Sequence, residues 1–289
     1  MATSILTGTA RGHRADRPRA GEIQSVMDIT PSPYFHWKRG IDCLLAILLL
    51  VPALPLMGLL VLLVRLTSRG PGVYAQVRVG KNGRTFTMYK IRSMRQDAEI
   101  RTGAVWAQAH DPRVTLVGRI LRKLHLDELP QLFNILKGEM SLVGPRPERP
   151  EFVRLLARKI PGYSNRLAVV PGITGLAQVN IPPDSDLESV RRKVFLDLEY
   201  IRNAGLLMDL RLLVCTAGRL AKVFEPLLLC MLGLYREVPE FGCDRKAAGA
   251  PVAPCHSAVP SLHTAGALSS GLACTMAIVQ AGEAARSEA

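Results

Sequence analysis

A single apolar run constrains this chain more than any other feature. From Cys43 to Val64 it reads CLLAILLLVPALPLMGLLVLLV, about the length of the roughly 20 apolar residues that cross a bilayer. Pro52 and Pro55 lie near its middle, and each removes a backbone hydrogen-bond donor, which disfavours a straight helix. The run therefore predicts a bent helix in a membrane.

The charges on either side of the run do not assign its ends to opposite faces of the membrane. Lys38 and Arg39 precede it, and Arg65 and Arg69 follow it, so the positive-inside rule favours the cytoplasmic side for both ends. Two interpretations fit these flanks: a re-entrant helix with both ends in the cytoplasm, and a kinked spanning helix.

The net charge indicates anionic partners. It is +13, with a sequence pI near 9.9, which suits phospholipid headgroups, phosphorylated substrates or nucleic acid. No nucleic-acid-binding module or aromatic-rich basic stripe is present, so nucleic acid is not an expected partner. The chain also lacks a Walker A loop, a G-x-G-x-x-G sequence, an H-E-x-x-H pair and a G-x-S-x-G elbow, which removes support for several common enzyme classes.

After the apolar run, the sequence predicts a β-hairpin. Two segments with partial alternation of apolar and polar residues, Val73–Val79 and Thr85–Ile91, flank an Asn-Gly pair at 82–83, a strong signal for a tight hairpin turn. The second segment leads into Lys90 and Arg92, which have like parity. Their side chains are therefore expected on the same side of the strand.

Helical periodicity dominates the rest of the chain. Amphipathic helices are predicted at 114–124, from Asp127 to Leu136 with a stop at Gly138, and at 149–159, 187–204 and 206–223, the last with an apolar face suited to a bilayer surface; 224–235 is too short to span and predicts a buried or interfacial helix. The predicted fold class is α+β and mainly helical.

Four segments follow from this pattern. Residues 1–33 form a basic arm without hydrophobic periodicity, 34–69 the membrane helix, 70–240 the folded domain, and 241–289 a tail rich in small residues. Both the arm and the tail have the composition of disordered segments.

Asp127 and Glu128 are the strongest candidates for chemistry. They are adjacent carboxylates at a predicted helix start, with Arg122 and His125 just upstream. These cations should keep Asp127 ionised, and a helix N-terminus attracts phosphate. The alternative is that Asp127 only caps the helix, since aspartate is a favoured N-cap.

Two loops add to this candidate site. The Gly-Pro-Arg-Pro sequence at 144–147 restricts the backbone on both sides of Arg146, which lowers the entropy lost when the arginine binds a phosphate. The glycines of Pro-Gly-Ile-Thr-Gly at 171–175 let backbone N–H groups approach a ligand. Each loop is also explained by a simple turn.

Five motifs in order resemble the bacterial sugar transferase family, the monotopic phosphoglycosyl transferases. They are KRGID, the Pro-broken run, QVRVGKNGRTFTMYKIRSM, LDELPQLFNILKGEMSLVGPRP and PGITGLAQVN, and the resemblance covers residues 34–235. It implies a re-entrant membrane helix hairpin and a compact catalytic domain with interfacial amphipathic helices, on the cytoplasmic face of the inner membrane.

The resemblance also implies a reaction. A sugar 1-phosphate passes from a UDP-sugar to polyprenyl (undecaprenyl) phosphate through a covalent aspartyl-phosphosugar, UMP is released, and the product starts exopolysaccharide or other glycoconjugate synthesis. Asp127 is the expected nucleophile and Glu128 the expected ligand or orienter of Mg2+. Lys90, Arg122 and Arg146 match basic motif positions that hold phosphate oxygens.

Three further residues fall in motif regions with less defined roles. Arg92, Gln178 and Asp197 are expected to contact the nucleotide, the sugar or another arginine. Two departures from the family pattern bear on nucleotide contacts and sugar choice: Val170 replaces an arginine before the PGITG loop, and Leu176 replaces a common tryptophan. The alternative function is a non-catalytic membrane scaffold of a polysaccharide assembly complex, which the intact carboxylate pair disfavours.

Overall fold

The computed structural model describes residues 29–96, 98, 111–184, 186–220, 225–236 and 238. Residues 1–28 of the predicted arm and the whole predicted tail, 241–289, lie outside the described residues. The described part is mainly helical, as predicted. Its helices are α1 (Phe35–Thr67), α2 (Leu116–Lys123), α3 (Gln131–Lys137), α4 (Pro150–Lys159), α5 (Leu176–Asn180), α6 (Leu187–Asn203), α7 (Leu206–Leu220) and α8 (Glu225–Met231), and its strands are β1 (Val73–Val79), β2 (Thr85–Ile91), β3 (Ser141–Val143) and β4 (Gly172–Thr174).

The predicted hairpin is confirmed. Strands β1 and β2 are antiparallel, with Val73 opposite Ile91 and Val79 opposite Thr85. In the turn between them, Asn82 and Gly83 have φ angles of 55° and 73°, a left-handed conformation that Asn and Gly adopt more readily than other residues. The Asn-Gly pair therefore sets the register of the hairpin.

The helix predictions after the hairpin are largely confirmed. The segment 114–124 contains α2, whose first turn is capped by the Thr115 hydroxyl accepting from the Gly118 N–H at 2.9 Å. Helix α3 ends at Gly138 with φ 78°, the left-handed C-terminal geometry that favours glycine. Helices α4 and α6 match their predicted segments within one residue.

A second, parallel pair of strands was not predicted. Strand β3 pairs with β4, Ser141 opposite Gly172 and Val143 opposite Thr174, so the sequence at 171–175, predicted as a loop, contains a strand. The approach is close, because a Cβ at Gly172 would lie 2.1 Å from the Gly144 nitrogen. Three-residue strands show no usable alternation, and the two motifs meet only through tertiary structure. The pairing places the GPRP and PGITG motifs side by side.

Helix α1 is the one helix within the described ranges that is long and apolar enough to cross a membrane. It continues through Pro52 and Pro55, whose missing N–H groups leave the carbonyls of Leu48 and Val51 without helical partners. Its exposed surface is apolar, including Leu44, Leu48, Val51, Leu54, Leu59, Leu62 and Leu66. This surface has the character of a helix in contact with lipid.

The N-terminal end of α1 is fixed to the body by buried charges. Lys38 forms ion pairs with Asp42, at 3.2 Å, and with Asp209 of α7. The Tyr200 hydroxyl donates to Asp209 at 2.7 Å, and the Ser141 hydroxyl donates to Asp42 at 2.7 Å. Lys38 is 4% exposed, so this flanking cation of the apolar run is buried in the fold, between one acidic partner four residues away and one in α7.

The C-terminal end of α1 contacts the same body. Val64 is buried, and the guanidinium of Arg92, just after β2, donates to the Ser68 carbonyl oxygen at 2.8 Å. Between its ends, α1 packs against α3, β2 and β3. Both ends of the apolar helix therefore lie against one compact unit.

Candidate active site

The Asp127-Glu128 pair lies in a short 3-10 turn, Leu126–Glu128, between α2 and α3. It follows His125, which has a left-handed backbone with φ 53°. Helix α3 begins only at Gln131, with Pro130 as its N-cap and no side-chain cap. The predicted helix start at Asp127 is therefore wrong, because Pro130 defines the start, and Asp127 does not act as the cap of α3.

Asp127 is buried and free of protein partners. The residue is 6% exposed. No other group in the described ranges forms a hydrogen bond or ion pair with its carboxylate. Burial raises the pKa of Asp127 above its ordinary value, although Lys90 and Arg122 act to lower it. The cations that were expected to keep Asp127 ionised thus do lower its pKa, but desolvation is the larger effect.

Glu128 is held in the opposite way. Its Oε1 atom accepts from the Lys90 ammonium at 2.8 Å and from Arg146 Nη2 at 2.5 Å, and Oε2 lies 3.4 Å from Arg146 Nη1. Burial would raise the pKa of Glu128, but Arg146 and Lys90 together hold it well below its usual range. Two cations from β2 and the GPRP motif thus fix one carboxylate, while its neighbour is left free.

Arg146 also connects the dyad to the PGITG motif. Its Nη1 donates to the Ile173 carbonyl oxygen at 3.3 Å, and the Gln178 amide donates to the same oxygen at 3.1 Å. The Gln178 Oε1 atom is buried and has no hydrogen-bond partner. Gln178 therefore lies beside the dyad's arginine, with an unused acceptor.

A buried ion pair supports the backbone of Arg146 from behind. Asp197 accepts from Arg166 at 2.9 Å (Nε) and 2.7 Å (Nη2), and Arg166 Nη2 also donates to the Arg146 carbonyl oxygen at 2.9 Å. Asp197 therefore contacts another arginine, one of the roles expected for it. Arg166 itself was missed, because the run YSNRLA carries no motif and its partner lies 31 positions away.

A second group of charges borders the same motif. Glu148 forms ion pairs with Lys193 at 2.5 Å and with Arg78 at 3.8 Å. Of these three, Glu148 lines a concavity, whose other lining residues are Val79, Gly80, Pro145, Arg146, Pro147, Arg166, Leu167, Val169 and Pro171. Arg78 and Glu148 were also missed, since ordinary surface charges share their sequence signature.

The remaining candidates lie on two sides of the dyad. Arg122, in the last turn of α2, is half-buried and close enough to Asp127 to lower that residue's pKa. Arg92 lies two residues beyond Lys90, and its guanidinium contacts Ser68 at the end of α1 rather than the dyad. The structure therefore brings Lys90 and Arg146 onto Glu128, places Gln178 beside Arg146, and places Arg92 towards the membrane helix.

The dyad has a donor set that suits a magnesium ion only in combination with a phosphorylated substrate. In the described ranges, no group of three or more His, Cys, Asp or Glu side chains could hold a metal. Mg2+ commonly uses one or two carboxylates together with substrate phosphates and water. Glu128 Oε2 has only the long contact of 3.4 Å with Arg146, so this oxygen has capacity for a cation.

Sequence comparison assigns the family. Residues 33–223 match the family model for bacterial sugar transferases. The chain belongs to this family. The Asp-Glu pair, the GPRP motif and the PGITG motif of this sugar transferase all lie inside the matched region.

Curated relatives are similar to this sugar transferase over more than half of its chain. A UDP-N-acetylgalactosamine-undecaprenyl-phosphate N-acetylgalactosaminephosphotransferase of Aeromonas hydrophila is 46% identical over 208 residues, 72% of this chain and 48% of the relative. A putative undecaprenyl-phosphate N-acetylgalactosaminyl 1-phosphate transferase of Bacillus subtilis is 51% identical over 52% of this chain and 85% of the relative. A UDP-glucose:undecaprenyl-phosphate glucose-1-phosphate transferase of Escherichia coli is 40% identical over 62% of this chain and 39% of the relative. The match thus spans about half of the Aeromonas relative and most of the Bacillus one.

Proposed function

We propose that this protein transfers a sugar 1-phosphate from a UDP-sugar to undecaprenyl phosphate and releases UMP, as the first step of exopolysaccharide or other glycoconjugate synthesis. The observation that carries the proposal is the asymmetry of the dyad. Asp127 is buried without a protein partner, whereas Glu128 is fixed between Lys90 and Arg146. The relatives' names supply the class of donor and acceptor.

The reaction consists of two displacements at one phosphorus atom. A carboxylate oxygen of Asp127 attacks the β-phosphorus of the UDP-sugar, the bond from that phosphorus to the bridging oxygen breaks, and UMP leaves with the electron pair. An oxygen of the lipid phosphate then attacks the same phosphorus, and the Asp127 carboxylate departs. The product is a sugar joined to the lipid through a diphosphate. A covalent intermediate divides one difficult transfer into two easier ones.

The cations around the dyad neutralise the charge that accumulates during these steps. Lys90 and Arg146 each have N–H groups beyond those that bind Glu128, because an ammonium offers three donors and a guanidinium five. Arg122 faces Asp127 from α2 and adds a third positive charge. Fixed cations in a site shielded from water stabilise phosphoryl oxygens more strongly than water does.

Glu128 would hold Mg2+ through Oε2, together with oxygens of the donor's diphosphate. When bound, the ion would draw negative charge away from the diphosphate and improve UMP as a leaving group. Lys90 and Arg146 keep Glu128 ionised, which is the state required of a metal ligand. This role is compatible with the contacts that Glu128 already makes at Oε1.

The proposed location is the cytoplasmic face of the inner membrane, with α1 as a re-entrant helix. A straight helix of 33 residues is about 50 Å long, and a spanning helix would place its ends on opposite sides. Both ends of α1 instead contact the catalytic body, through Lys38 and Ser68. The exposed apolar residues of α2 and α7, including Leu116, Ile120, Leu207 and Val214, suit helices at the membrane surface.

Topology can be tested by labelling single cysteines on the two flanks of α1. After all six native cysteines are replaced by serine, cysteine is introduced at Arg39 or at Arg69 in separate proteins. We expect a membrane-impermeant maleimide to label both positions in inverted vesicles and neither in intact spheroplasts. Labelling of the two positions from opposite sides would establish a spanning helix.

The function can be tested by measuring UMP release from a panel of UDP-sugars with purified protein, undecaprenyl phosphate and Mg2+. We expect UDP-N-acetylgalactosamine to react fastest, because the relatives that are 46% and 51% identical carry that sugar in their names, against 40% for the glucose enzyme. Chelation with EDTA should stop release, and added Mg2+ should restore it. A correctly folded protein that releases no UMP from any donor would favour the scaffold.

A further inference from the structure

Arg92 is a buried cation that forms no ion pair with the part of the chain that the structure describes. It is 5% exposed, and only its Nη2 atom is engaged, donating to the Ser68 carbonyl oxygen at 2.8 Å and to the Ser68 hydroxyl at 2.6 Å. Its Nε and Nη1 atoms are buried and form no hydrogen bond. No ion pair joins it to an acidic side chain of the described ranges. Within the described ranges, the guanidinium therefore has no counter-charge, and two of its nitrogens have no hydrogen-bond acceptor.

Arg166, which is also buried in the described part of the chain, is an example of a guanidinium with a purely structural role. Arg166 uses Nε and Nη2 to bind Asp197, and its Nη1 donates to the Tyr163 hydroxyl at 3.2 Å. All three nitrogens are therefore satisfied, and the charge is neutralised. Binding the C-terminal end of α1 would require only one of the nitrogens of Arg92, so this contact does not account for the other two.

The position of Arg92 links the dyad to the membrane helix. Its N–H donates to the Gly72 carbonyl oxygen at 2.8 Å, which continues the β1–β2 ladder by one step. Arg92 and Lys90 therefore share one face of the strand, with Cα atoms about 7 Å apart. Lys90 binds Glu128, so an anion bound by Arg92 would lie next to the dyad on the side of α1.

Two helices that border the Arg92 segment expose apolar residues. The last turns of α1 expose Leu62 and Leu66 just before Ser68. Helix α2 packs against the residue that follows Arg92, since a Cβ at Gly118 would lie 1.9 Å from the Ser93 carbonyl oxygen, and its opposite face exposes Leu116 and Ile120. A ligand with one anionic group and a long apolar chain fits this arrangement, because its chain can follow these surfaces into the bilayer.

We propose that Arg92 binds the phosphate of the prenyl phosphate acceptor and delivers it to the dyad from the membrane side. The inference rests on the proposed function and adds a residue for the second displacement. The planar fork of Nε and Nη1 suits two oxygens of one phosphate. Arg92 would have no part in the first displacement, in which Asp127 and the UDP-sugar react. Bulk anionic phospholipid offers similar chemistry, so the test must separate the two lipids.

Kinetics separate the two displacements. In full-length Arg92→Met, we expect the KM for undecaprenyl phosphate to rise about tenfold or more, while the burst of UMP with donor alone and the KM for the UDP-sugar stay unchanged. Arg92→Lys should restore part of the loss, since it supplies charge without the fork. The matched control is Arg84→Met, at an exposed arginine near the hairpin turn, which should behave as wild type. An unchanged acceptor KM in Arg92→Met, or an equal loss of the donor burst, would overturn the proposal.

Direct binding keeps the proposal testable without turnover. Native mass spectrometry of the wild type should show undecaprenyl phosphate retained in preference to undecaprenol and to phosphatidylglycerol, and Arg92→Met should lose that preference. If no UDP-sugar yields UMP, the proposed function fails, but this binding measurement still decides the role of Arg92. Equal retention of the phosphate and the alcohol by the wild type contradicts the proposal, and so does equal retention of phosphatidylglycerol. If Arg92→Met does not fold, Arg92→Lys takes its place in the same comparison and should retain only part of the preference.

Discussion

Replacing Asp127 with asparagine is expected to reduce UMP release on the order of 10^4-fold, as losses of single members of a catalytic unit do. The amide is nearly the same size as the carboxylate but cannot attack phosphorus. Because the Asp127 carboxylate forms no hydrogen bond or ion pair with the rest of the described chain, the substitution should leave the melting temperature unchanged or slightly raised. The measurement is initial-rate UMP release at saturating UDP-sugar, Mg2+ and undecaprenyl phosphate.

The matched control is Glu151→Gln, which neutralises an exposed carboxylate on α4 and should leave the rate unchanged. Intact-mass analysis supplies an independent readout. Wild type incubated with donor alone should gain the mass of one sugar phosphate, and Asp127→Asn should not. If a wild-type preparation with demonstrated turnover shows no such adduct, the covalent mechanism is wrong, even when the rate loss is as large as expected.

The pKa values of the two adjacent carboxylates are shifted in opposite directions, and this asymmetry explains how neighbouring residues can have different roles. Burial raises the pKa of Asp127, whereas Arg146 and Lys90 lower that of Glu128. Carboxyl groups whose surroundings move their pKa values apart are typical of sites that assign distinct tasks to similar groups. In the proposed mechanism, Glu128 therefore serves as the fixed counter-charge, and the oxygens of Asp127 react with the substrate.

Local signals in the sequence were sufficient where one short segment determines the structure. The Asn-Gly pair predicted the hairpin with its observed bounds, and Gly138 predicted the end of α3. Pro130 likewise sets the start of α3, which lies beyond the Asp127-Glu128 pair. In each of these cases the residue's own backbone preference acts within a few positions of the chain.

Contacts between distant segments account for what the sequence did not predict. Arg166 and Glu148 occupy positions without a motif, and the pairing of β3 with β4 joins residues about 30 positions apart. The burial of Lys38 was not predicted, because its partner Asp209 lies far along the chain in α7. A charged side chain has the same sequence signature in solvent and in a buried pair, so only the fold distinguishes the two.

The Arg166–Asp197 pair provides the second large expected effect. In Asp197→Asn the buried guanidinium of Arg166 loses its counter-charge, since both side chains are almost fully buried. Breaking such a pair from one side typically costs about 3–5 kcal/mol. We therefore expect a large fall in the free energy of unfolding, measured by denaturant titration in detergent, and loss of most UMP release.

A paired substitution separates stability from positioning. Arg166→Met combined with Asp197→Leu removes both charges, and apolar replacement of a buried pair is often neutral for stability. We expect the free energy of unfolding to recover, because no unpaired charge remains. Turnover should stay about tenfold below wild type, because the Arg146 carbonyl oxygen loses the donor that Arg166 provides at 2.9 Å and the GPRP loop is held less firmly. Full recovery of turnover together with stability would show that the pair only stabilises the fold and that the position of Arg146 is set by Glu128 and Ile173 alone.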